Sequence, residues 1–222
     1  MASVPEVVLL DIEGTTTDIS FVHDVLFPLS RRALPEYVAE HWNDDEVLRA
    51  REATGANDLS GLVDALTAWI DADRKEPTLK AIQGKIWRGA FESGQVKSHV
   101  YPDVPVAFQR WQARGIRIAI FSSGSIEAQE LLFRHSEHGD LTGYLGGYFD
   151  PTTAGPKREV GAYAAIVRAL GTREAAFLSD VGAELDAARA AGLSTWQVAR
   201  PGIEPDAAST HAKVSTFDEL GF

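Results

Sequence analysis

The sequence predicts an α/β protein, a doubly wound parallel sheet carrying an all-helical insertion after its first strand. Three observations predict it. Four short apolar runs are each bounded by Gly, Asp or Ser, as buried strands are. Segments of helical length and period lie between them, and strands alternating with helices make parallel βαβ units. One long stretch, from about Ile19 to His99, carries helical signals and no convincing strand. A chain of 222 residues has room for one core fold and a sizeable insertion.

The first strand is Val7-Val8-Leu9-Leu10. The insertion follows. Leu26, Leu29, Ala33, Tyr37, Val38 and Trp42 suit one amphipathic helix, bent or segmented by Pro28 and Pro35. Leu62, Leu66, Trp69 and Ile70 suit a second, opened by Asp58, and Leu79, Ile82, Ile86, Trp87 and Phe91 a third, entered after Pro77. Short linkers near Thr17–Ser20 and Ser98–Asp103 divide the chain into a core of residues 1–18 and 100–222 and a helical domain of residues 19–99. Beyond the insertion, Val104, Ala107, Phe108 and Trp111 form a helix closed by Gly115, and Ile116–Phe121 is the second strand. Gly147-Tyr148-Phe149 reads as strand or loop. Val160, Tyr163, Ala164, Val167 and Leu170 form a helix closed by Gly171, before strands at Ala175–Leu178 and Thr195–Val198.

Composition narrows the chemistry. The chain has no cysteine, which excludes disulfides, thiolate zinc sites, iron–sulfur clusters and a cysteine nucleophile. Any metal must sit on oxygen or histidine. The net charge of −11 repels a phosphate backbone, so nucleic acid is a poor partner. No apolar run is long enough to cross a bilayer, and the first residues lack the basic and apolar regions of a signal peptide. The expectation is a soluble, cytoplasmic protein with neither nucleic acid nor membrane as partner.

Ligands of open α/β sheets bind at the carboxyl ends of the strands. The first strand runs into Asp11-Ile12-Glu13-Gly14-Thr15-Thr16 and the second into Ser122-Ser123-Gly124-Ser125. Lys157 follows Gly155-Pro156 in a loop that opens a helix. The run through Phe177 ends in Ser179-Asp180, with Glu184 about a helical turn further on. Taken singly, each reads more readily as a turn former, a helix cap or a surface residue. Together they place carboxylates, hydroxyls and one ammonium on one sheet edge. That inventory suits phosphoryl transfer on an oxygen-ligated hard cation such as Mg²⁺, with an aspartate as nucleophile.

These strings resemble the four signature motifs of the haloacid dehalogenase superfamily: Asp-x-Glu-Gly-Thr after the first strand, Ser after the second, a later Lys, and Ser-Asp. The helical insertion resembles that superfamily's first type of cap. Leu10–Thr16, Phe21–Pro28, Gln83-Gly84-Lys85-Ile86-Trp87 and Val100–Pro105 further resemble the enolase-phosphatase family of methionine salvage, over nearly the whole chain. Two positions stand out. Glu13 occupies a place usually held by Asp in the superfamily, as the enolase-phosphatase branch has it, and His23 stands where that family's cap string leads one to expect Lys.

The resemblance implies a Rossmann-like core with a helical cap. It also implies a two-step reaction on 2,3-diketo-5-methylthiopentyl-1-phosphate: enolisation, then loss of phosphate through an aspartyl-phosphate to give the acireductone. By matching motif, Asp11 is nucleophile and metal ligand, Glu13 is acid–base and metal-associated, and Asp180 completes the protein ligands of one Mg²⁺. Ser122, Ser123 and Lys157 bind the phosphate, and Glu184 reaches the metal through water. The base for the C1 proton stays open between Glu13 and the cap residues Lys80, Gln83, Lys85, Arg88 and Lys97. Trp87 and Phe91 read as cap core or as contacts for the methylthio end; His135 and His138 read as surface residues. Two other readings compete: a phosphatase for a different small ester, and a silent phosphate- or partner-binding module. The intact Asp11, Ser122, Lys157 and Asp180 count against the second of these. The expected partner is a small phosphate ester, and the expected state a monomer.

Overall fold

A computed structural model describes residues 4–203 and 209–222, and the chain divides into two compact units, Met1–Ile19 with Ser98–Phe222, and Ser20–Lys97. The first unit holds strands β1 (Val7–Leu10), β2 (Arg117–Phe121), β3 (Leu145–Phe149), β4 (Ala175–Ser179), β5 (Ser194–Val198) and β6 (Ala212–Val214). They form a parallel sheet in the order β3-β2-β1-β4-β5-β6. The doubly wound sheet is thus observed, and Gly147–Phe149 resolves as strand.

Alternation along the strands sends successive side chains to opposite faces. Val8, Leu10, Ile118, Ile120, Ala176 and Leu178 face a core shared with Val104, Phe108 and Trp111 of the helix Asp103–Ala113. Val7, Leu9, Ala119, Phe121, Ala175 and Phe177 face the other, filled by Tyr163 and Ile166 of the helix Val160–Leu170 and by Leu185 and Ala188 of the helix Gly182–Ala190. Both faces are covered, so these strands are near-continuous apolar runs, save Arg117 at the exposed start of β2 and Ser179 at the end of β4. A further helix, Ile126–Arg134, is capped by Ser125, whose Oγ accepts the Ala128 N–H at 3.3 Å. It ends before His135, so His135 and His138, though three residues apart, do not share a helix face. β6 escaped the sequence reading because it is three residues long and two of them are exposed.

In chain order the helices are α1 (Phe27–Glu40), α2 (Asp45–Thr54), α3 (Leu59–Asp71) and α4 (Pro77–Glu92), then α5 (Asp103–Ala113), α6 (Ile126–Arg134), α7 (Val160–Leu170) and α8 (Gly182–Ala190). The second unit contains α1–α4. Its first helix is not segmented at Pro35. α1 follows a π-helical stretch, Phe21–Leu26, and runs unbroken to Glu40, with Pro28 in its first turn and Pro35 inside it. Pro28 needs no N–H there, and Pro35 lies on the exposed side while Leu29, Leu34 and Val38 are buried. The seam therefore includes Leu34 rather than Ala33, and stops short of Trp42. α2 was not foreseen, because it buries only Val47 and Ala50 and its apolar period is faint. Asp58 opens α3, its Oδ1 accepting the Gly61 N–H at 2.8 Å. Trp87 donates its Nε1–H to the Leu26 carbonyl and Ser30 Oγ, and Phe91 is buried. No helix among the described residues is long and apolar enough to cross a membrane.

Candidate active site

Three adjacent strands set the site. Leu10 pairs with Ile120 on one side and with Leu178 on the other, so β1, β2 and β4 finish level. Asp11, Ser122 and Ser179-Asp180 then leave the same carboxyl edge, and the Asp11 N–H still donates to the Leu178 carbonyl.

Asp11 is 5% exposed and fully engaged. Its Oδ1 accepts the Ile12 N–H at 2.7 Å and Lys157 Nζ at 2.6 Å. Its Oδ2 faces the Ser179 hydroxyl at 3.1 Å. Lys157 Nζ also meets Glu184 Oε2 at 2.7 Å, and Ser179 Oγ lies 3.2 Å from that same oxygen. One ammonium and one hydroxyl thus bridge two carboxylates in a buried cluster. Burial works against the lysine charge, yet the Asp11 and Glu184 carboxylates hold its pKa above the ordinary lysine value. Glu184 is pushed up to about 7, chiefly by burial and then by Asp11, with Lys157 opposing. The sequence reading gave Ser179 no role. Its only signal was its place beside Asp180 at a strand end.

The loop after Asp11 is tightly wound. The N–H groups of Thr15, Thr16 and Thr17 all donate to the Ile12 carbonyl, at 3.1, 2.9 and 3.0 Å. Gly14 adopts φ +71°, and a Cβ on it would lie 2.5 Å from Asp180 Oδ2. Only glycine fits here, for both reasons. Thr15 Oγ1 accepts the Asp180 N–H at 3.1 Å, while Asp180 Oδ1 is buried without a hydrogen-bond partner. Burial, then the Asp11 charge, pushes Asp180 up to about 7, and Glu13 adds to the rise. Glu13 itself is half-buried at the mouth of this loop, its backbone bridged to Thr17.

Ser122 is buried, its N–H donating to the Phe149 carbonyl and its Oγ accepting the Gly124 N–H at 3.1 Å. Ser123 is exposed in the same loop. Gln129, which sequence reasoning passed over, donates Nε2–H bonds of 2.9 Å to the carbonyls of Gly124 and Phe149, pinning that loop from beneath. Asp11, Lys157, Glu184 and Ser179 are in direct contact, and Asp180 joins through the Thr15 loop. Ser122 and Ser123 stand one strand over.

A family model for haloacid dehalogenase-like hydrolases matches residues 5–192. The chain is 55% identical to enolase-phosphatase E1 of Sorangium cellulosum over 99% of each chain, and 47% identical to that of Pseudomonas aeruginosa over 96% of each. This chain belongs to the enolase-phosphatase family. The crystal structure of the UTR4 protein of Saccharomyces cerevisiae agrees with the enolase-phosphatase fold seen here at a TM-score of 0.85, with 36% identity over 98% of this chain and all of that one. CbbY of Rhodobacter sphaeroides, at TM-score 0.62 and 20% identity, shares the fold.

Proposed function

We propose that this enolase-phosphatase converts 2,3-diketo-5-methylthiopentyl-1-phosphate to the acireductone and inorganic phosphate in methionine salvage. The observation that carries the reading is Asp11, a buried carboxylate at the end of β1 locked by Lys157 and Ser179, with Glu13 two residues on. Two donors on Oδ1 fix the carboxylate plane, which is what an in-line nucleophile needs. Asp11 attacks phosphorus, the bond from phosphorus to the C1 oxygen breaks, and Glu13 gives that oxygen its proton. Glu13 then takes a proton from the water that attacks the aspartyl-phosphate, releasing phosphate and restoring Asp11. Lys157 offsets the charge of Asp11 and of the arriving phosphate, and Ser122 and Ser123 bind phosphate oxygens. In the first half-reaction Glu13 takes the C1 proton, made acidic by the neighbouring carbonyl, the C1–C2 double bond forms, and the carbonyl oxygen takes a proton from solvent to give the enol.

The donor set fits a hard cation. Asp11 and Asp180 are carboxylates, Asp180 Oδ1 is buried with no partner, and the raised Asp180 pKa marks a point short of positive charge. No three His, Asp or Glu side chains group as ligands among the described residues, so backbone oxygen, water and phosphate would complete the shell. Asp11, Asp180 and an oxygen of Glu13 would hold Mg²⁺, which when bound offsets repulsion between carboxylate and phosphate. Glu184, whose described partners are Lys157 and Ser179, holds the lysine beside Asp11. The unit Ser20–Lys97 serves as cap, and the chain works as a monomer; light scattering at twice 24.1 kDa would overturn that state.

The test is incubation with Mg²⁺ and the diketone phosphate, following acireductone absorbance and free phosphate together. Both should rise and both should stop on chelation. Asp11→Asn should release phosphate only at background. Full activity after exhaustive chelation, or substantial turnover by Asp11→Asn, refutes the mechanism.

A further inference from the structure

Behind the Asp11–Thr17 loop lies a buried cation that belongs to none of the motifs. Arg200, just past β5, is 3% exposed. Its Nη1 donates to both Asp103 oxygens, at 2.9 and 2.8 Å, and to the Ser215 carbonyl at 3.3 Å. The guanidinium carbon sits 4.3 Å from the centre of the Tyr101 ring and 4.7 Å from that of Phe217. Asp103 Oδ2 in turn accepts the Phe217 N–H at 2.7 Å. Carboxylate and two rings leave the guanidinium little freedom. One bond leaves this clamp toward the site: Nε donates to the Thr15 carbonyl at 2.9 Å.

Thr15 is the residue whose Oγ1 accepts the Asp180 N–H, and its neighbour Gly14 is packed against the Asp180 carboxylate. Displacing the Thr15 loop therefore disturbs the bond that holds the Asp180 backbone. We propose that Arg200 is a positioning residue for the phosphatase site, fixing the Thr15 carbonyl from behind so that Glu13 and Asp180 keep their spacing. The inference rests on the functional reading above. A lysine could answer Asp103 as a point charge. Holding Asp103 with Nη1 while reaching Thr15 with Nε needs the fork of a guanidinium. Supporting residues of this kind act on metal affinity and on turnover more than on substrate binding.

The test uses the full chain. Arg200→Lys keeps the charge and removes the Nε bond. The double variant Asp103→Asn/Arg200→Gln removes both charges, so that neither is left buried and unpaired. Melting temperature, Mn²⁺ affinity by electron paramagnetic resonance without substrate, and kcat and KM for the diketone phosphate are read for each. A folded variant should bind Mn²⁺ about 10- to 100-fold more weakly and lose kcat by a similar factor, with KM within about threefold of wild type. A folded variant with wild-type Mn²⁺ affinity and kcat overturns the proposal, as does failure of both variants to fold, which would make Arg200 a structural clamp only. Wild type lacking Mg²⁺-dependent turnover would instead bring down the functional reading, and this inference with it.

Discussion

Gly14 shows how one missing methyl decides a site. Its backbone is left-handed and its Cα faces the Asp180 carboxylate, with 2.5 Å between Oδ2 and the place a Cβ would take. Gly14→Ala should push Asp180 aside and lower stability by about 1 kcal/mol or more through its left-handed backbone, with kcat falling by about a hundredfold. A thermal melt beside an initial-rate assay checks it; wild-type turnover would mean the loop yields freely. Glu13 invites the opposite experiment, since Glu13→Asp keeps the charge and withdraws it by a methylene. Hydrolysis of a simple phosphate ester should survive better than conversion of the diketone phosphate. Washout of C1 deuterium should slow by about ten- to a thousandfold. Equal losses in both assays with unchanged exchange would send the search for the enolising base to the helices of Ser20–Lys97. At this scale the sequence displayed the groups that end strands, because Asp11, Ser122 and Asp180 interrupt apolar runs. Ser179, Gln129 and Arg200 stayed hidden. Each acts through a bond to a residue far away in the chain, such as Arg200 to Thr15, and no local pattern encodes that.

Among the elements, legibility followed burial. β1 and β4 are buried at every position and could be read at sight, whereas β6 is short and half exposed and α2 buries two side chains. Pro35 lies inside an unbroken α1. Propensity alone breaks a helix at that residue, but the seam of Leu29, Leu34 and Val38 outweighs the loss of one intrahelical bond. Among the side-chain caps Asp58 was legible, while Ser125 and Thr216 were not. Asp58→Ala should cost about 1 kcal/mol of stability while leaving turnover intact. Denaturant titration measures it; an unchanged midpoint would show the exposed Asp58 bond to contribute nothing.

For the molecule as a whole, the site is a reserve of instability. Asp180 and Glu184 are both held near 7 by burial and by Asp11, while the unfolded chain titrates them near the ordinary carboxylate value of about 4. The folded state therefore binds protons that the unfolded state has released. Their contribution to stability is complete below about pH 4 and is lost as pH rises through about 7, on the order of a few kcal/mol in all. A cation held at Asp180, as proposed above, would reverse the balance. Millimolar Mg²⁺ should raise the melting temperature more at about pH 8 than at about pH 5.5, where protons already fill the need. A shift that is equal at both, or larger in acid, would contradict this.

The order of the sheet has a consequence for synthesis. β1, the earliest in chain order of the six described strands, lies inside the sheet, and its two neighbours are β2, beyond the whole of Ser20–Lys97, and β4, later still. On the ribosome Val7–Leu10 therefore emerges with nothing to pair with, while the helices of Ser20–Lys97, whose contacts are nearer in sequence, can close their own core. This fully buried strand must wait, unpaired, until the strand at Arg117 arrives. Its shortness limits what a chaperone, or another nascent chain, can grip in the meantime.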